Sequence, residues 1–199
     1  MSKKKILVVV AHPDDETIWC GGTLIRNKDV FDITIISLCR KDDLDRAPKF
    51  FKAAKEYNAN SFISDLDDDN PEKKLKDLEE IKKRIMDFID GNKFDFIYTH
   101  GDNGEYGHNR HIEVNKAMKE LIFEKKIFCK KVFFFSYKKN NSDKLDFCVP
   151  KSSASTKVEL LGQEYTKKKF IIENVYGFTK ESFESCSCNR KEAFDVVEK

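Results

Sequence analysis

Four histidines occur in the 199 residues, His12, His100, His108 and His111. The first opens His12-Pro-Asp-Asp-Glu16, and the other three fall within Thr99-His-Gly-Asp-Asn-Gly-Glu-Tyr-Gly-His-Asn-Arg-His111. Imidazole nitrogen together with carboxylate oxygen is a zinc donor set, which Fe(II) or Mn(II) also accepts. A catalytic zinc site needs three protein ligands, an open position for water and a separate acid or base. The two segments hold enough groups for all of these. Taken alone, the first segment has a plainer use, in which His12 ends a strand and the acids favour the first turn of a helix. Scattered surface histidines, however, do not gather behind two strands.

Those strands are Ile6 to Ala11, an unbroken apolar run typical of a parallel strand covered on both faces, and Phe94 to Thr99. Pro13 cannot continue a ladder, so the first strand ends at His12. A helix follows over Thr17 to Arg26, in which Gly21 and Gly22 permit close approach to the sheet, to a ligand or simply to a packing partner. Phe31 to Cys39 reads as the second strand and Ser61 to Leu66 as a shorter third. Between them lies a helix from Arg46 to Tyr57 with Pro48 in its first turn. Arg46 is placed at the pocket, since a guanidinium holds a sugar hydroxyl, carboxylate or phosphate with a fork of donors; a surface salt bridge to the loop acids is the other use for it. Asp67 to Asp69 reads as a solvated acidic loop, and Pro71 opens a long amphipathic helix to about Asp90. The helix from His108 to Glu124 sets His108 and His111 one turn apart on one face. Val132 to Tyr137 is a fifth strand. Beyond it a turn falls at Asn140 to Asp143, a short strand at Phe147 to Val149, a polar loop at Lys151 to Thr156 and a helix or strand at Thr166 to Asn174. Phe170, Tyr176, Phe178 and Phe183 read mainly as core aromatics. If the first and fourth strands are neighbours where the strand order reverses, both histidine-bearing turns open into one crevice.

Ala11-His-Pro-Asp-Asp-Glu16 after the first strand, His108-Asn-Arg-His111 and the wider His100-Gly-Asp-Asn-Gly-Glu-Tyr-Gly-His108 resemble the signatures of the PIG-L/LmbE-like zinc-dependent deacetylases. Asp45-Arg-Ala-Pro-Lys-Phe50 and Glu173-Asn-Val-Tyr-Gly-Phe178 resemble segments of a bacterial branch. The resemblance implies an α/β fold, a Rossmann-like three-layer sandwich with a mostly parallel central sheet, formed as a single domain over 1–199. It implies one zinc ion, or Fe2+ or another divalent metal, on His12, Asp15 and His111. Asp14 is then the general base, and His108 stabilises the oxyanion or protonates the leaving amine. The commonest family form has Pro-Asp between the two histidines, where this chain has Asn109-Arg110. A carboxylate for His108, which would keep it protonated near neutral pH, is then expected from Asp102, Glu105 or elsewhere in the fold. The implied activity is removal of an acetyl group from an N-acetylglucosamine-type sugar or conjugate; the alternative is a non-catalytic or differently specific metal-binding protein of this fold, such as a conjugate amidase.

Lysine and arginine number 37 against 35 acids, a net charge of +2, which gives no basic field to recruit nucleic acid. The turn after the first strand lacks Gly-x-Gly-x-x-Gly and carries three acids where a pyrophosphate would sit, which argues against a dinucleotide-binding oxidoreductase. The six cysteines form no C-x-x-C and follow no secretory signal, so they read as reduced thiols of a cytoplasmic chain. No stretch approaches the ~18 apolar residues of a membrane span. The expected partner is a small sugar or glycoconjugate; homo-oligomerisation is left open.

Overall fold

In a computed structural model, which describes residues 3–70, 74–140 and 146–198, the chain builds a seven-stranded sheet of order β3-β2-β1-β4-β5-β9-β8. Its strands are β1 (Lys4–Val10), β2 (Phe31–Ser37), β3 (Asn60–Ile63), β4 (Lys93–Thr99), β5 (Phe128–Phe135), β8 (Thr156–Glu159) and β9 (Lys191–Glu198). The first five run parallel, whereas β9 is antiparallel to both β5 and β8. A separate hairpin joins β6 (Tyr137–Lys139) to β7 (Cys148–Pro150). The turn expected at Asn140 to Asp143 reaches residues outside those described.

Because β1 is covered on both faces, its side chains divide between two cores. Ile6, Val8 and Val10 pack with α1 (Asp15–Asn27), α2 (Arg46–Glu56) and the Ile171 to Tyr176 segment; Leu7, Val9 and Ala11 pack against α3 (Glu79–Phe88) and α5 (Asn109–Phe123). That is why the run shows no polar alternation. Strand order reverses between β1 and β4, so the crevice lies at their carboxyl ends, where the loops after β2 and β3 also arrive.

Several elements differ from the sequence reading or were left open by it, and the strands β8 and β9 were not foreseen. The long helix from Pro71 is in fact α3, starting at Glu79; Pro71 lies outside the described residues, and Lys74 to Leu78 is coil whose Leu75 amide donates to Glu113 Oε1 at 2.7 Å. Leu75 and Leu78 still pack on the same core, which is why they mimic helical periodicity. Thr166 to Asn174 is helical: α6 (Gly162–Phe170) runs into a π-helical turn at Ile171–Val175. The short helices α4 (Gly104–Gly107) and α7 (Phe183–Ser187) complete the set.

Helix α1 carries the acids of the first motif, and its position is set by a buried charge pair. Glu192 on β9 accepts the amides of Gly22 and Thr23 at 2.8 and 2.9 Å, the Thr23 hydroxyl at 2.6 Å and Lys168 Nζ at 2.8 Å. Both charged side chains are fully buried. Gly22 is the contact glycine: a Cβ there would stand 2.3 Å from the buried Leu160. The close approach is therefore to a packing partner. Removing one member of a buried pair leaves an uncompensated charge, so Glu192→Ala should cost about 3–5 kcal/mol. Urea denaturation should show the lowered midpoint with an unchanged slope; an unshifted midpoint would refute this account.

Candidate metal centre and active site

His12, Asp15 and His111 are brought together from the β1–α1 turn and from α5. Asp15 Oδ2 lies 3.3 Å from His12 Nδ1 and 3.4 Å from His111 Nε2, and the two nitrogens are 3.2 Å apart. A tetrahedral ion with ~2.0–2.1 Å bonds separates its ligand atoms by about 3.3–3.4 Å. The triangle therefore has the size of one face of such a coordination sphere.

The outer partners of the two imidazoles set the direction of the lone pairs. His111 Nδ1 faces Glu105 Oε2 at 2.6 Å and His12 Nε2 faces Asp68 Oδ2 at 2.7 Å, so each imidazole donates outward to a carboxylate. Nε2 of His111 and Nδ1 of His12 are left as acceptors, and Asp15 Oδ2 adds a third. Three lone pairs converging at 3.2–3.4 Å repel unless a cation lies between them. In the chain alone a proton takes that place. Burial opposes it at His111, but Asp15 and Glu105 raise the group to about 10; His12 is raised likewise by Asp15 and Asp68 against burial. The residues present thus fit a divalent ion.

Each candidate ligand is held by a neighbour. Asp15 Oδ2 also accepts the His12 amide, and its Oδ1 takes the Trp19 indole N–H, both at 2.9 Å. Glu105 is fully buried at φ 57, with Oε1 on the Gly101 amide at 2.7 Å and Oε2 on both His100 and His111. Burial resists its ionisation, yet the two imidazoles hold its pKa down to about 2. Gly101 is required here, since a Cβ would meet the Phe135 carbonyl at 2.2 Å. His100 is no ligand in this arrangement. Its Nε2 accepts the Ala11 amide at 2.9 Å while Nδ1 donates to Glu105 at 2.8 Å, so it ties the end of β1 to the β4 loop.

Asp14 sits beside the centre with φ 106, a strained value for a residue with a side chain. Its amide donates to Glu16 Oε2 at 3.1 Å, and its carbonyl accepts the amides of Thr17 and Ile18. Glu16 is itself buried, raised by that burial to about 7, and takes the hydroxyls of Thr17 and Tyr176 at 2.6 and 2.8 Å. Burial, then Asp15, raises Asp14 well above the usual carboxylate range, and Arg46 opposes the rise. Arg46 Nη1 bonds Asp14 Oδ2 at 2.7 Å while its guanidinium lies 4.3 Å from the Phe178 ring. Arg46 thus lines the cavity, and its side-chain ion pair is with the motif acid Asp14 instead of the loop acids.

His108 caps α5, its Nδ1 accepting the Arg110 amide at 3.2 Å. Burial, reinforced by His111 and His12, lowers it to about 4. The expectation of a protonated His108 is therefore corrected. Glu105 is committed to His100 and His111, and Asp102 is exposed, 3.9 Å from Lys151. With Nδ1 an acceptor, the neutral ring carries its proton on Nε2. The other correction concerns the acidic loop: Asp68 is 6% exposed and reaches His12. Its signal was available, because the loop follows a parallel strand and must end at the same crevice. Tyr106, two residues before His108, was likewise missed; its ring centroid lies 5.3 Å from that of His111.

His12, Asp14, Asp15, Asp68 and His108 line a cavity of about 390 Å3 together with Ile18, Tyr106, Phe183, Arg40, Arg46 and Glu184, whereas His111 is fully buried and not part of its lining. The PIG-L family, GlcNAc-PI de-N-acetylase, matches residues 7–122. The chain belongs to this family. An uncharacterized protein of Acanthamoeba polyphaga mimivirus is 26% identical over 128 residues, 58% of this chain and 56% of that protein. The chain thus spans a little over half the length of this curated relative. Two solved structures share the fold. N,N'-diacetylchitobiose deacetylase from Pyrococcus horikoshii superposes with a TM-score of 0.69 at 14% identity, covering 98% of this chain and 84% of that one. The A40926 pseudoaglycone deacetylase Dbv21 gives 0.67 at 13%, covering 99% and 98%.

A proton at the PIG-L centre has a measurable consequence. His111 sits above its ordinary 6.5, so its pairing stabilises the metal-free fold fully below about pH 6.5 and is lost as pH rises toward 10. A divalent ion bound there must displace that proton. Near neutral pH, calorimetry should give binding enthalpies that change with the ionisation enthalpy of the buffer; identical values in all buffers would contradict the assignment.

Proposed function

We propose that this PIG-L protein is a zinc-dependent amide hydrolase that removes the acetyl group from an N-acetylglucosamine-type sugar or sugar conjugate, with residues 1–199 acting as one domain. The observation that carries the reading is the triangle of outward-braced ligands, His12, Asp15 and His111, with an ionisable carboxylate and an imidazole N–H facing the same cavity. Family membership and the deacetylases of like fold support it. Bound by these three residues, zinc supplies Lewis acidity to the amide carbonyl and acidity to an attacking water.

The chain's own groups do the rest. Asp14 accepts the proton of the water as its oxygen bonds to the acetyl carbon, and its raised affinity for a proton suits it to hand that proton to the leaving nitrogen when the C–N bond breaks. Acetate and a free amine result. The Nε2–H of His108 donates to the carbonyl oxygen as negative charge grows there. Arg46 orients Asp14 and presents its remaining donors to sugar hydroxyls, while Tyr106 and Phe183 shape the wall. Among the described residues no helix is long and apolar enough to cross a membrane. We propose a cytoplasmic setting, in which the six cysteines, none of them disulfide-bonded, stay as thiols.

Asp14→Asn should retain zinc and lower turnover of N-acetylated sugars by roughly 10²–10⁴-fold, because the amide keeps the shape and loses the proton acceptor. Loss of zinc from that variant would transfer the ligand role from Asp15 to Asp14. For His108→Ala, kcat should fall far more than KM rises, with zinc content unchanged, and His108→Gln, which keeps an N–H, should recover part of the loss. Full activity in His108→Ala on every N-acetylated sugar tested would remove His108 from the chemistry.

A further inference from the structure

Among the described residues two buried side-chain polar atoms have no hydrogen bond, Asp68 Oδ1 and Arg110 Nε, and they face each other at 3.6 Å. Buried polar atoms are rarely left so, and this pair lies directly behind the first metal ligand. We infer that Asp68, held from behind by Arg110, is the positioning residue that fixes which nitrogen His12 offers to the metal. The inference rests on reading His12 as a ligand.

An imidazole with no second partner can flip, and either nitrogen can then carry the proton. Asp68 Oδ2, 2.7 Å from His12 Nε2, removes that freedom, because a carboxylate at this distance demands a donor. Nδ1 is thereby left bare and directed at Asp15 and His111. Asp68 holds this position in a loop without regular structure, so something else must fix it. Arg110 does so from the first turn of α5: the side chain is 2% exposed, Nη1 bonds Glu113, and Nε closes on the free oxygen of Asp68. Arg40 Nη2 adds a second, half-exposed cation 3.5 Å from Oδ2. One ligand histidine is thus joined through Asp68 to the helix that carries another, His111. A charged residue between His108 and His111 is placed where it binds neither substrate nor ion, but acts through a carboxylate.

The test uses zinc affinity, from competition with a chromophoric chelator, together with long-range 1H–15N spectra of the histidines in the full-length protein. Zinc-loaded wild type should show His12 protonated on Nε2 and coordinated through Nδ1; the opposite tautomer overturns the inference without any variant. Asp68→Ala should weaken zinc roughly 10–100-fold and mix the His12 tautomers, while the isosteric Asp68→Asn, which keeps an acceptor oxygen, should retain the Nε2–H form and lose less. Affinity within twofold of wild type in a folded Asp68→Ala protein would overturn it. Arg110→Met should change zinc affinity in wild type and have that effect abolished in the Asp68→Ala background; additive effects would show that Arg110 does not act through Asp68. His111→Ala separates the two claims: if it binds zinc as tightly as wild type, the centre itself has been misread.

Discussion

Three lone pairs aimed at one point, from His12, Asp15 and His111, form the constraint on which the rest of the molecule depends. Such an arrangement is repulsive until a cation enters, so each donor has to be held from outside. The holding groups come from separate parts of the chain: Trp19 and the His12 amide for Asp15, Glu105 for His111, and Asp68 for His12. A metal-binding imidazole whose outer N–H is fixed by a carboxylate has a defined tautomer and greater basicity. Both histidines proposed here as ligands are of that kind.

Fixing them draws an unusual amount of charge into the interior. Asp15, Glu16, Asp68, Glu105 and Glu113 are all buried, and each finds compensation in an imidazole, a hydroxyl or a guanidinium. Burial disfavours ions, and pairing decides which of them remain ionised: Glu105, between two imidazoles, is held low, whereas Glu16, bonded only to hydroxyls and an amide, is pushed to about 7. The same logic separates the adjacent acids of the motif. Asp15, though buried, faces three imidazoles and is lowered well below the usual range, while Asp14, buried and meeting a single arginine, is raised, a split that suits the ligand and proton-carrier roles proposed for them.

Away from the centre, the fold keeps these parts in register. Glu192 and Lys168 fasten α1 to β9 and α6. Asn103 ties the β4 loop to the β6–β7 hairpin, donating to the Tyr137 carbonyl at 3.0 Å and accepting from Lys151 at 2.9 Å. The separate β6–β7 hairpin thus supports the histidine-bearing loop.

By itself the sequence determined the parallel core strand, the two turns that carry histidine and acid, and the start of a helix at the His108–His111 segment, because each is a local pattern of period or punctuation; His108 itself caps that helix with extended backbone. It also determined the donor types, and so the class of chemistry. Only the tertiary structure decided which carboxylate serves which imidazole. Asp68 lies 56 residues from His12 and Glu105 six from His111, and nothing in an acidic loop marks one aspartate as buried. Likewise the fall of His108 to about 4 follows from two imidazoles and burial, which exist only once β1 and β4 lie side by side. Charges at such distances interact through space, and their strength is set by the solvent that folding excludes.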